Sequence, residues 1–264
     1  MPCARFLTLL PLIGLLIGCA ATPPPARDVH VPEFARRPYE PFNRTAAVAI
    51  ALREWRLFGS PVVDEDPRDR LPIDPELKPE RLPGLWQRVG EYWWLGLDAG
   101  DPAQRWTGKH DATGRVFPAA DDGEFAWSAA FVSYVMRVAG AGQRFPYSAS
   151  HSVYIDAARQ VSLGRRRDLA LSAESPALYA PALGDLICFG RGSAGNLRFE
   201  DLPAGRFSSH CAIVVATDPG QLSVVGGNVD DEVALTHVPT LPDGKLGDDP
   251  RYPWAVVLRV LYDY

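Results

Sequence analysis

Residues 210–227 read HCAIVVATDPGQLSVVGG, and this stretch constrains the fold more than any other. Two apolar, β-branched runs flank Asp218-Pro219-Gly220, a turn sequence, so a hairpin is predicted. Three further strand-like runs surround it: LICF after Leu183-Gly184-Asp185, EVALTHVP at 232–239, and AVVLRVLYD near the C-terminus. Before residue 165 the apolar residues instead recur at three- and four-residue steps, the period of a helix face. Helices first and antiparallel strands afterwards is the order of an α+β fold. N-terminal helices packed on a small antiparallel β-sheet are therefore expected.

Asn43 predicts a cap for a helix over 44–58, closed by Gly59, with Ala46, Ile50, Trp55 and Phe58 on its buried side. Residues 83–98 predict a second helix, with Trp86, Val89, Trp93 and Leu97 on one face. The central prediction is a helix within 121–140, DDGEFAWSAAFVSYVMRVAG. Phe125, Ala129, Val132, Met136 and Ala139 make its apolar face, Asp121 and Asp122 precede it, and Gly140 and Gly142 stop it. Ser128 falls in its first turn, just after Trp127, where unpaired N–H groups favour a developing anion. A short helix then carries His151, Tyr154 and Ala158 on one side. Residues 60–82 and 99–120 are polar loops.

The 264 residues, 47% of them hydrophobic, suffice for one sizeable core with a small extension. A net charge of −5 leaves no basic footprint for nucleic acid. No metal or other cofactor is expected: the four cysteines are isolated, no two histidines share helix-face spacing, and GRGSAG at 190–195 lacks the Lys-Ser/Thr ending of a phosphate loop. Cys188 and Cys211, on neighbouring strands, fit either a disulfide or two small buried hydrophobes.

The N-terminus reads as a targeting segment. Arg5 precedes FLTLLPLIGLLIG, an apolar run broken by Pro11 and too short for a comfortable membrane span. Leu16-Ile17-Gly18-Cys19 resembles the bacterial lipoprotein box. That resemblance implies a signal peptide over 1–18, a lipidated Cys19 and a Pro-rich tether over 19–42. Ala20 after the cysteine is similar to an outer-membrane address. The expected location is the cell envelope, anchored by lipid and facing the periplasm.

The candidate site follows from strand parity. His210, Ala212 and Val214 share one face of their strand, and Ser209, Cys211, Ile213 and Val215 the other. Asn228 ends the partner strand just past Gly226-Gly227. A helix-start nucleophile, a strand-borne histidine and a polar group to orient its ring are the parts of nucleophilic acyl transfer. Their order resembles the papain-like amidases of bacterial cell walls, the CHAP and NlpC group. The resemblance rests on FAWSAAFVSYVMRVAG, on Leu183 to Phe189, on Ser209 to Val215 and on VVGGNVDDEV. It implies a papain-like domain over 121–264, preceded by a helical extension over 43–120. It implies Ser128 as nucleophile where the family has cysteine, His210 as base and Asn228 as its orienting group. Trp127, His151 and Asp230 are expected as substrate-binding or accessory residues. The implied function is peptidoglycan-directed hydrolysis of an amide or peptide bond, with peptidoglycan or a wall peptide as partner. The alternative is an inactive module holding a wall peptide or an envelope protein.

Overall fold

Asn43 starts the first helix: its side-chain oxygen accepts from the Ala46 N–H at 3.1 Å, opening α1 (Arg44–Leu57). The computed structural model describes residues 41–71, 73–97 and 105–262, all within the unit Pro38–Tyr264. The buried face of α1 is Ala47, Ala51 and Glu54, continued by Phe58, whereas Ala46, Ile50 and Trp55 are only partly covered. The face turns because it carries an ionic anchor. Glu54 takes Arg88 Nη2 at 2.7 Å and Nε at 3.0 Å, with the Tyr92 and Tyr134 hydroxyls at 2.8 and 3.2 Å. A carboxylate can be buried when donors surround it in this way.

Arg88 and Tyr92 lie on α2 (Leu85–Gly96), which buries Val89, Tyr92 and Trp93 against α3 (Ser128–Val138). Residues Ala119–Phe125 form a 3-10 turn ahead of α3, held where Asp122 meets Lys78 at 3.0 Å and Arg81 at 3.1 Å. Phe125 therefore lies off the α3 face and stacks on Trp106 at 4.0 Å. Ala47 and Ala51 of α1, Val89 and Tyr92 of α2 and Val132 of α3 belong to one buried cluster. The last helix, α4 (His151–Ser162), packs on the first strand.

Among the described residues six strands follow: β1 (Leu171–Glu174), β2 (Leu186–Gly190), β3 (Ser209–Asp218), β4 (Gln221–Val229), β5 (Glu232–Pro239) and β6 (Trp254–Val260). They form a single antiparallel sheet in the order β1-β6-β2-β3-β4-β5. The fold is thus α+β. Strand β1, with the short sequence LSAE, carries no strand signal of its own. It forms because Leu171 to Glu174 pair with Val260 to Val257 at the sheet edge. The two faces are unlike. Cys188, Cys211, Ile213 and Leu258 join the helices in the main core, whereas Ile187, Ala212, Val214 and Val224 build a smaller cluster on the other face. Cys188 lies opposite Cys211 in the β2–β3 register, and the two are disulfide-bonded with a Cα–Cα distance of 4.2 Å. Among the described residues no helix is long and apolar enough to cross a membrane. Cys19 and the apolar run before it lie outside the described residues.

Candidate active site

Ser128 is the first residue of α3, and the surrounding packing fixes where that helix begins. Trp127, just before it, is 1% exposed, with its ring packed against Phe58 and Tyr92. Its indole N–H donates to Glu80. Trp127, expected as a substrate-binding or accessory residue, is a buried core anchor. Strand β4 closes on the same turn at Gly227. A Cβ there would stand 2.5 Å from Phe131 Cβ and 2.8 Å from Trp127 Cζ3, so only glycine permits this approach.

The histidine bonded to Ser128 is His151. Ser128 Oγ lies 2.5 Å from His151 Nε2. His151 is the first residue of α4, with Ser150 in extended conformation at the cap position. The segment before it folds back onto α3: Ser133 Oγ donates to the Ser148 carbonyl at 3.1 Å and accepts from the Ser148 N–H at 3.2 Å. Behind the imidazole, Nδ1 is hydrogen-bonded to the Tyr154 hydroxyl one turn along α4. Burial holds the His151 imidazole well below its usual range, assisted by His210 and Arg191, so it is neutral at pH 7. Burial pushes the Tyr154 phenol well up, so it stays protonated.

His210 does not bond Ser128, which corrects the expected Ser128–His210 pair. Strand parity is the reason. Cys211 points into the helical core, so His210 goes with Ala212 and Val214 to the opposite face. Its ring meets the His151 ring at 5.5 Å, edge to face, and its Nε2 lies 2.8 Å from where a Gly226 Cβ would be. Burial, then Arg191, pushes its imidazole down to about 3. Asn228, in the left-handed region at φ 56°, is the penultimate residue of β4 and has no hydrogen bond to His210 among the described residues. Asp230, in the following turn, is held by Arg70 at 2.5 Å. His210, Asn228 and Asp230 line a cleft of about 430 Å³ beside Phe189 and Trp254. Ser128 and His151 open onto another, of about 610 Å³, and Arg191 and Gly192 border both. Of the expected residues, then, the structure joins Ser128 to His151 and gathers His210, Asn228 and Asp230 next door.

Tyr154 was absent from the expected site. Its signal was its place on the His151 side of α4, three residues on. Among the described residues no three His, Cys, Asp or Glu side chains gather as a metal-binding group.

Fold and site together define an α+β protein with a buried serine–histidine pair where two helices begin. A family model described as "Uncharacterized protein conserved in bacteria (DUF2272)" matches residues 80–260, more than half of the chain, and the chain belongs to that family. No curated protein and no solved structure matches it.

Proposed function

We propose that this chain is a papain-like hydrolase of the bacterial cell envelope, directed at an amide or peptide bond of peptidoglycan, with Ser128 as nucleophile and His151 as base. The observation that carries the proposal is the 2.5 Å Ser128–His151 contact at the first turn of α3, facing an open cleft. A hydroxyl is a weak nucleophile until a base takes its proton during attack, and a neutral imidazole in contact is such a base. The first turn of α3 supplies N–H groups without intrahelical partners, suited to the oxyanion that forms when a carbonyl is attacked. The envelope address rests on the Cys19 motif, and the Cys188–Cys211 disulfide supports an oxidising compartment.

One observation favours a second reading, a cleft that binds without cleaving. Tyr154 donates most readily to His151 Nδ1, which leaves the proton on Nε2 facing Ser128. The base-competent tautomer reverses this and leaves the buried phenol proton without an acceptor among the described residues. That costs about 1–3 kcal/mol, roughly one to two orders of magnitude in rate. The cost slows a hydrolase without abolishing it.

The experiment is a digest of purified peptidoglycan, read by mass spectrometry, with Ser128→Ala and His151→Ala beside the parent protein. Fragments lost in both variants support the hydrolase and name the bond. A silent parent that still sediments with peptidoglycan moves the assignment to binding.

A further inference from the structure

The Ser128 cleft carries two cations and no anion. Arg191 and Arg206 are the charged side chains of its lining, and neither Asp nor Glu lines it. Among the described residues neither guanidinium forms an ion pair or a side-chain hydrogen bond. Both sit at the base of the long β2–β3 loop, where the Arg191 N–H donates to the Ser208 carbonyl at 2.8 Å and clamps the two ends together. This local positive charge stands on a chain of net charge −5. Burial first, with Arg191 adding to it, disfavours the imidazolium of both histidines, and Arg191 with Arg206 gives the cleft a positive potential.

We propose that the Ser128 cleft selects a short acidic peptide, with Arg191 and Arg206 binding a carboxylate next to the bond presented to Ser128. Turnover of such a peptide rests on the Ser128–His151 assignment, whereas its binding does not. Planar guanidinium forks match carboxylates in two-point hydrogen bonds. A volume of about 610 Å³ accommodates a few residues. The neighbouring clefts carry charges of both signs, Asp230 with Arg70 and Arg251 in one and Glu200, Asp248 and Asp249 with Arg198 and Lys245 in the other, whereas the Ser128 cleft is lined by cations without an acidic residue.

The test uses soluble stem peptides released from peptidoglycan, in their free-carboxylate form and after amidation of the carboxylates. Binding to the full chain carrying Ser128→Ala is measured by calorimetry, alone and with Arg191→Gln or Arg206→Gln added. Amidation is expected to weaken binding at least about tenfold. Each arginine variant is expected to weaken the free-carboxylate form about five- to tenfold and to leave the amidated form unchanged. With Ser128 intact, the same variants raise KM more than they lower kcat. Equal binding of the two forms, no binding of either, or arginine variants without effect overturns the proposal. Inorganic phosphate displacing the peptide at equal concentration also overturns it, by making the site one for phosphate. Charge-dependent binding without any Ser128-dependent turnover keeps the proposal and removes the hydrolase assignment. Both arginines are exposed, and far-UV circular dichroism of the variants reports their folding.

Discussion

The Trp127 indole N–H donates to the Glu80 carboxyl group at 2.5 Å, one residue before Ser128, and so ties the loop over α2 to the start of α3. Burial, then Asp231, pushes that carboxyl up to about 8. The folded protein therefore holds a proton that the unfolded chain releases near 4.5. Stability from this group is complete below pH 4.5 and is lost as pH rises through 8. Glu80→Gln keeps the acceptor without the titration. Urea denaturation at pH 5, 6.5 and 8.5 should show the variant gaining on the parent as pH rises. A constant difference across the three pH values would show that Glu80 ionises normally.

Arg88 and Glu54 join α2 to α1 beneath the site, and Glu54 is fully buried. Arg88→Ala leaves that carboxylate with two phenolic donors and the exposed Arg53 at 3.9 Å, and costs about 3–5 kcal/mol. Glu54→Gln/Arg88→Met, which removes both charges together, should cost much less. Chemical denaturation reads both. A loss under about 1 kcal/mol in Arg88→Ala would show that solvent reaches Glu54.

Cys188 and Cys211 are 23 residues apart. Loop-closure entropy for that span gives about 3 kcal/mol of stabilisation. The parent in reducing buffer, and the Cys188→Ala/Cys211→Ala variant in any buffer, should both unfold at lower denaturant than the oxidised parent. Mass spectrometry of the alkylated native protein checks the bond directly, and two alkylated thiols at these positions would overturn it.

Much of this architecture was legible because its signals are local. Asn43 caps α1, and EVALTHVP is a strand because alternation and turn residues mark it within a few positions. The candidate site was half legible. Ser128 is marked by its place in a helix turn, and the parity that sends Cys211 into the main core turns His210 to the other sheet face, where its ring meets His151 rather than Ser128. His151 needed tertiary information: the backbone between α3 and α4 returns through Ser148 to Ser133, a contact fifteen residues apart. Strand β1 depended likewise on β6, some eighty-five residues later in the chain, and Trp127 on a carboxyl group from a loop that shows no period.

His151 predicts the pH dependence of any Ser128 chemistry. An ordinary imidazole base titrates near 6.5, and activity falls as acid removes the neutral form. Here burial comes first, with His210 and Arg191 adding to it, and all three keep the folded ring neutral well below that value. The kcat/KM of the parent on a peptidoglycan-derived peptide should therefore stay level as pH falls through 6.5, with its acid limb appearing only at lower pH. The same shift sets a stability limit, since an unfolded chain takes up protons on His151 and His210 below about 6.5 that the folded protein refuses. Stability should decline as pH falls from 6.5 toward 3, the range bounded by the His210 value of about 3. Assays therefore need short incubations with circular dichroism at each pH. An acid limb centred at 6.5 in protein that is still folded would mean that His151 is solvated, and would remove it as the buried base.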